Sequence, residues 1–577
     1  MRLFLLICSL VTVAVAQEPS LSCIYYNFGP TNYHCQLTID NPNGFDNFTE
    51  IGGIHLEGFS NEDVDVLYIA RGISSNVPQI ICETFPNLFE FDFFNARLTE
   101  LDDNSFSGCS QLGRLYLSYN RISSISENAF ANLRAVSYIH LGDNLLTTLP
   151  ENVFANQQNV TDLILSYNAF TEIPTGLFRP LENLQNLYIG GANLTTVNNQ
   201  WFTENSRLTY LYLGGNRITL SANMFSGIEG LRAISLALNE ITEIPPGTFA
   251  GLPSLQTLDL YWNAFTSLRE DSFPGLGQLV NIDLSRNPID TIEENAFRGL
   301  AGLQSLALEN CRISDLDTIS LNLPNLTYLD LNFNAIEEIP IGFFESMPNL
   351  FYIGLWANRI KTLRRNSFGS LSALSTFDLD GNIVNAIDRA FIDDAVNLNT
   401  LYFDGNLCAS NYFGNFLNSR DRYLPMLERC FRNMRYIVET TTENDGVYSF
   451  FEGPEPGIVL RVRSDNEVQI ALTPFNFIWT PSIEIFIGSA NNTRSVIRIN
   501  DETDVVTVPT PNVIQQNQWN DFRVSWANQN VLVFNSNDTF PFMSYTMQHF
   551  YPVNFYGLRA VETRATWSVQ PIFIEDN

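Results

Sequence analysis

The sequence predicts an α/β-type solenoid of short parallel strands on a concave face, with a mostly irregular or 3-10 convex side, followed by an all-β antiparallel sandwich. Three observations predict it. Apolar residues recur with a 24-residue period through most of the chain. One asparagine column and one phenylalanine column keep the same phase. After Cys430 the period stops and two-residue alternation replaces it.

The template LxxLxLxxNxL fits Leu112–Ile122, Leu208–Ile218, Leu279–Ile289 and Leu326–Ile336. Its first position falls at Leu88, Leu112, Val136, Val160, Leu184, Leu208, Leu231, Leu255, Leu279, Leu303, Leu326, Leu350, Leu374 and Leu398. The step is 24 residues with two steps of 23, and Val64 opens a degenerate repeat before these, making about fifteen. Within each repeat the leucines of a short strand point inward while the residues between them point outward. One repeat cannot bury its own apolar side. Stacked about 4.8 Å apart the strands share a continuous core, in which each buried leucine contributes roughly 1.5–3 kcal/mol.

The asparagine column (Asn120, Asn144, Asn168, Asn216, Asn239, Asn263, Asn287, Asn334, Asn358, Asn382, Asn406) falls at the turn leaving each strand. There an amide can satisfy backbone groups that would cost ~1–3 kcal/mol each if buried unpaired. The phenylalanines Phe106, Phe130, Phe154, Phe178, Phe202, Phe225, Phe249, Phe273, Phe297, Phe344 and Phe368 stand six residues before the next repeat, which predicts a stacked spine under the convex side.

Seven cysteines follow Cys8. Cys23 with Cys35, before the repeats, and Cys408 with Cys430, after them, read as end staples. Cys82 stands in the phenylalanine column and Cys109 three positions beyond it in the next repeat, so neighbouring coils bring the two together as a third bridge. Cys311 falls in the asparagine column and reads as a buried free thiol.

The strand residues that point outward form the concave surface. Its central positions are Asp92, Tyr116, His140, Ile164, Tyr188, Tyr212, Ser235, Asp259, Asp283, Ala307, Asp330, Gly354, Asp378 and Tyr402, flanked by Tyr138, Tyr210, Trp262, Tyr328, Phe333, Tyr352 and Trp356. The first half is aromatic, the second acidic, with Glu309, Asp380 and Asp404 nearby. Exposed aromatics on a rigid surface anchor protein partners, and carboxylates steer cationic ones. The candidate ligand-binding residues are therefore Tyr116, Tyr138, His140, Tyr188, Tyr210, Tyr212, Asp259, Trp262, Asp283, Tyr328, Asp330, Trp356 and Asp378. The plain alternative is that these are solvent-tolerant strand residues that only confer solubility.

A net charge of −31 excludes nucleic acid and heparin as partners, since both demand dense cationic surface, and a basic protein suits it better. Arg2, the apolar run Leu3–Val15 and the small-residue motif Ala14-Val15-Ala16 read as a cleaved signal peptide, and no later run is long enough to span a bilayer. Six acceptor sequons, at Asn47, Asn159, Asn193, Asn325, Asn491 and Asn537, fit a secreted, extracellular glycoprotein. The expected organisation is a signal peptide over 1–16, an N-terminal cap over 17–63, the solenoid over 64–407, a cysteine cap over 408–432 and the sandwich over 433–577.

In the last segment, Val468–Leu472, Ile483–Ile487, Phe522–Trp526 and Val531–Phe534 alternate as antiparallel strands between Asn, Pro, Ser and Gly turns. The blocks from Ile483 (IEIFIGSANNTRSVIR), Trp519 (WNDFRVSWANQNVLV) and Tyr551 (YPVNFYGLRAVETRATW) resemble the farnesoic acid O-methyltransferase-like domain of invertebrate proteins, over roughly residues 435–572. The front of the chain similarly resembles secreted leucine-rich-repeat proteins capped by cysteines. The family label suggests a methyltransferase, but the residues carry no Gly-rich strand-to-helix turn for S-adenosylmethionine. Gly275 and Gly277 lie inside a repeat. The domain holds no cysteine and one histidine, His549, so nucleophilic machinery lacks its parts. The histidines His34, His55, His140 and His549 are scattered, and Asp259 with Asp283 supply too few oxygens for calcium, so no metal and no cofactor is expected. The resemblance implies instead a recognition module for a glycan or a lipid. Trp479, Trp519, Trp526 and Trp567 read as its core, with stacking on a ligand as their alternative role.

The functional expectation is a secreted recognition protein rather than an enzyme, with the solenoid for an extracellular protein and the sandwich for a second ligand. A self-associating matrix or adhesion component is the next reading, and a methyltransferase acting on a small terpenoid acid the last.

Overall fold

The computed structural model describes residues 20–571 apart from 28–31, 41–47, 271, 370, 435, 441–447, 453–456, 465–466, 475–481, 501–502, 516–517, 527–528, 536–537, 548–552, 554 and 561–564. The chain divides into two compact units, Met1–Asn358 with Gly369–Asp378, and Arg359–Phe368 with Leu379–Asn577.

The first unit opens on an antiparallel hairpin, Ser20–Asn27 against Tyr33–Asp40, tied by the Cys23–Cys35 disulfide. Alternation in its first strand buries Leu21, Cys23 and Tyr25 and exposes Ile24. Tyr33–Asp40 then pairs in parallel with Val64–Arg71, so the hairpin covers the edge on which the solenoid starts.

From there the strands are three residues long, the length that LxL permits before the turn. Glu90–Asp92, Arg114–Tyr116, Tyr138–His140, Asp162–Ile164, Asn186–Tyr188 and Tyr210–Tyr212 pair in parallel without a register slip. So do Ala233–Ser235, Thr257–Asp259, Asn281–Asp283, Ser305–Ala307, Tyr328–Asp330, Tyr352–Gly354 and Thr376–Asp378. The result is a solenoid of about 14 turns. The middle residue of each strand is buried; its neighbours stand at least partly open in most strands, while Ser235, Asp330 and Gly354 are buried as well.

The asparagine column works as a ladder. Asn168 Nδ2 donates to the carbonyls of Leu141 and Leu165 at 2.9 Å each, and its Oδ1 accepts from the Leu146 N–H at 3.0 Å. Asn144, Asn216, Asn263, Asn287 and Asn334 repeat this set one turn apart. The phenylalanines stack beneath, with centroid separations of 5.8 Å for Phe130–Phe154 and Phe273–Phe297 and 6.0 Å for Phe225–Phe249. Trp201 interrupts the spine by meeting Phe178 edge-on at 6.3 Å. Cys82 and Cys109 are bonded across adjacent coils. Cys311 is free and buried, and burial pushes its thiol up to about 12.

A second asparagine column, absent from the sequence reading, precedes the first apolar position. Asn87, Asn159, Asn183, Asn325 and Asn349 each donate Nδ2 to a carbonyl one turn back. Among the predicted sequons, Asn159, Asn193, Asn325 and Asn491 are exposed, and Asn47, Asn537 and the predicted signal segment lie outside the described residues.

In the second unit, Thr400–Tyr402 pairs antiparallel with Tyr412–Gly414, two short helices follow (Phe416–Tyr423, Glu428–Arg432), and Cys408 is bonded to Cys430. From Tyr436 onward the described residues form two six-stranded antiparallel sheets. One runs in the order Tyr436–Thr440, Ala565–Pro571, Gly457–Arg463, Asn520–Ser525, Asn530–Asn535, Met543–Thr546; the other runs Ser449–Glu452, Phe555–Ala560, Val468–Thr473, Ile483–Gly488, Arg494–Ile499, Thr503–Pro509. Inward residues such as Leu460, Ile470, Ile485, Val524 and Trp567 form their common core. Trp526 and Trp567 are core as expected. Trp519 is not: it stands 43 % exposed, with the Arg461 guanidinium over its ring, and Trp479 lies outside the described residues.

Candidate binding surface

Parallel pairing brings the central outward residues of successive turns into one continuous column. Tyr116 faces His140, His140 faces Ile164, Ile164 faces Tyr188 and Tyr188 faces Tyr212. The column continues through Ser235, Asp259, Asp283, Ala307, Asp330, Gly354 and Asp378. With strands about 4.8 Å apart, side chains one turn removed touch. Tyr116 packs on Tyr138 at 4.8 Å, and Tyr188 on Tyr210 at 5.1 Å and Tyr212 at 6.3 Å. Further along, Tyr328 stacks on Tyr352 at 4.5 Å and Phe333 meets Trp356 edge-on at 4.3 Å.

Against the Tyr188 cluster a groove of about 370 Å³ opens, lined by His140, Gly142, Asp143, Ile164, Ser166, Tyr167, Tyr188, Tyr210 and Tyr212. Glycines behind it leave room for two of the rings that line it. A Cβ on Gly190 would clash with the edge of the Tyr212 ring and come within 2.6 Å of the Gly214 carbonyl oxygen; one on Gly191 would clash with the edge of the Tyr167 ring. Tyr167 and Asp143, which the sequence reading left out of the site, enter through the position just before the asparagine column. That position is left-handed at turn after turn, with φ of 59° at Tyr119, 55° at Asp143, 58° at Tyr167, 52° at Trp262, 57° at Arg286 and 53° at Phe333. A non-glycine residue there costs about 1–2 kcal/mol. In exchange the side chain swings out beside the concave face, leaving Tyr167 58 % and Trp262 50 % exposed. Their fixed place one residue before each column asparagine was the signal that could have identified them.

The electrostatics of the groove are one-sided. Burial raises the Tyr188 hydroxyl and the Asp162 carboxylate raises it further. Burial also raises Tyr210 and Tyr212, with Asp259 adding to both, and pushes Tyr138 up to about 12. Burial lowers His140, whose Nδ1 accepts from the Gly142 N–H at 3.1 Å, so its ring is neutral at physiological pH.

The acidic half is more occupied with its own backbone than the sequence implied. Asp259 Oδ1 accepts from the Tyr261 N–H at 3.0 Å, Asp283 Oδ1 from Ser285 at 2.9 Å and Asp330 Oδ1 from Asn332 at 2.9 Å. Each is an Asx-type turn that leads the chain out of the strand. Asp259 Oδ2 also accepts from Ser235 Oγ at 2.7 Å. Burial raises the Asp259 and Asp330 carboxyls, and neighbouring acids add to it. Asp330, read as an outward residue, is only 9 % exposed, and its Oδ2 accepts from the Tyr328 hydroxyl at 3.3 Å. Asp378 stands apart from the tyrosine groove. The Asp259–Asp283 pair gathers no third acidic, cysteine or histidine side chain among the described residues.

Family models match both halves of the chain. Residues 79–209 match a BspA-type leucine-rich-repeat model of six copies; 218–265, 262–313 and 324–384 match a second leucine-rich-repeat model, and 301–343 a two-copy one. Residues 79–384 are leucine-rich repeats. Residues 436–571 match the model described as farnesoic acid O-methyl transferase, the stretch in which the three sequence blocks occur.

A leucine-rich-repeat protein of Leptospira interrogans shares the fold, with TM-score 0.53 and 22% identity over 64% of this chain and 89% of that one. The LRIM1/APL1C complex gives TM-score 0.48 and 20% identity over 71% and 74%, and the Drosophila Toll–Spatzle complex 0.45 and 20% over 66% and 65%. No curated protein sequence matches the chain.

Proposed function

We propose that this chain is a secreted, non-enzymatic recognition protein that binds an extracellular protein on the concave face of its repeats. The observation that carries the reading is the in-register run from Tyr116 to Tyr212, which exposes aromatic rings around an open groove on a rigid sheet. Three disulfides support an oxidising compartment, and no helix among the described residues is long and apolar enough to cross a membrane. The C-terminal sandwich is a second binding module, for a glycan or a lipid. Among the described residues its antiparallel sheets offer no strand-to-helix crevice of the kind that holds a nucleotide-like cofactor, and titration with S-adenosylmethionine is expected to release no heat.

The test is to screen the intact protein against an array of extracellular proteins and glycans at physiological salt, beside a Tyr116→Ser/Tyr138→Ser double variant. Capture of a protein that the variant binds at least tenfold more weakly supports the reading. A partner bound equally well by both moves the site off this face.

A further inference from the structure

The geometry points to the tyrosine groove around Tyr188 as a receptor for an arginine side chain presented by the protein partner. This deepens the concave-face reading and rests on it. Four observations favour a guanidinium over an apolar or anionic group.

The rings of Tyr188, Tyr210 and Tyr212 are mutually tilted, by 42° for Tyr188–Tyr210 and 41° for Tyr188–Tyr212, so they present faces from different sides of one space. Ring faces carry negative potential and attract a cation within about 6 Å of the centroid. Asp143 lines the groove itself, Asp162 stands on the strand before that of Tyr188, and Asp259 stands two strands beyond that of Tyr212, so carboxylates border the rings in the groove and on both sides of it. No lysine or arginine lines it, and His140 is held neutral. Finally, the same surface already uses this contact: the Arg286 guanidinium lies 5.2 Å from the Trp262 ring centroid and 5.7 Å from that of Tyr261.

Arginine fits better than lysine because a planar guanidinium can stack on one ring while its N–H groups reach a carboxylate, whereas an ammonium is a compact, strongly hydrated point charge. The chain's net charge of −31 would draw a basic partner in from any side, but only the groove tells arginine from lysine.

The test titrates the intact protein with an amidated tetra-arginine peptide at physiological salt, in parallel with tetra-lysine and tetra-citrulline. Tetra-arginine is expected to bind saturably and at least tenfold more tightly than tetra-lysine, with no heat from tetra-citrulline. Tyr188→Leu and Tyr212→Leu, which keep the charge of the face, should each weaken tetra-arginine about tenfold, with circular dichroism confirming that the repeats remain folded. Equal binding of the arginine and lysine peptides, or binding that survives both leucine variants, is diffuse electrostatics and overturns the proposal. If the Tyr116/Tyr138 double variant still loses a protein partner while the arginine peptide shows no preference, the concave-face reading stands and the arginine assignment alone falls.

Discussion

Replacing Cys311 by asparagine should stabilise the repeats, because the thiol is a poor occupant of its column. Cys311 Sγ offers contacts of 3.6 Å to the Leu284 carbonyl and 3.8 Å to that of Glu309. One turn earlier Asn287 donates to Leu260 and Leu284 at 3.0 and 2.8 Å and accepts from Phe265 at 3.2 Å. By the same register an asparagine at 311 would donate to Leu284 and Leu308 and accept from the Ile289 N–H. Three amide bonds at about 0.5–1.5 kcal/mol net each replace weak sulfur contacts to the Leu284 and Glu309 carbonyls and to the Asn287 and Ile289 backbone. Ordering the side chain takes back part of the gain, about 1 kcal/mol. The expected increase is therefore roughly 1–2 kcal/mol. Urea denaturation of the intact protein, compared with Cys311→Ala, measures the sum; hydrogen exchange of the Ile289 amide measures the local part, about tenfold slower exchange per 1.4 kcal/mol. An asparagine variant no more stable than wild type, with Ile289 exchange unchanged, refutes the account of the column.

Other expectations follow from the same geometry. Asp259 is raised in the folded state, chiefly by burial, so its contribution to stability is fully present below its unfolded value and is lost as pH rises through the folded one. Asp259→Asn keeps an acceptor for Tyr261 and should raise Tm at pH 7, with the difference fading as the pH is taken below the usual carboxylate range. Gly190→Ala drives a Cβ into the Tyr212 ring and toward the Gly214 carbonyl, so a loss of about 1–3 kcal/mol is expected in urea denaturation. Breaking the Cys82–Cys109 bridge with paired alanines removes a 27-residue closure and should lower stability by about 2–4 kcal/mol, read by thermal unfolding of the oxidised protein.

Much of the fold was legible because the repeat imposes one environment on each residue position. Leu115, Leu163 and Leu211 are buried at the middle of their strands for the same reason, and the phase of Asn120 or Phe130 predicts that of every later member. Even Cys82–Cys109 could be read, since adjacent coils lie at a known spacing. The site was legible in part. Outward tyrosines could be counted off the strands, and Trp262 and Phe333 were named at the position before the asparagine; Tyr167 holds that same position, but the left-handed backbone that swings it toward the groove is invisible to hydrophobic periodicity.

The acidic column shows the limit most sharply. As residues, Asp259, Asp283 and Asp330 are identical free carboxylates; in the folded protein each gives one oxygen to the N–H two residues on, and Asp330 is buried and takes a further bond from the Tyr328 hydroxyl. The amino-acid sequence by itself determined the period, and with it the core, the asparagine ladder, the disulfide partners and which faces point outward. Those follow from burying one side of a repeating unit. Only the tertiary structure decided which outward side chains meet. The Tyr188 groove depends on glycines 190 and 191 leaving room for rings from neighbouring turns, and close packing between turns has no signature within any one of them.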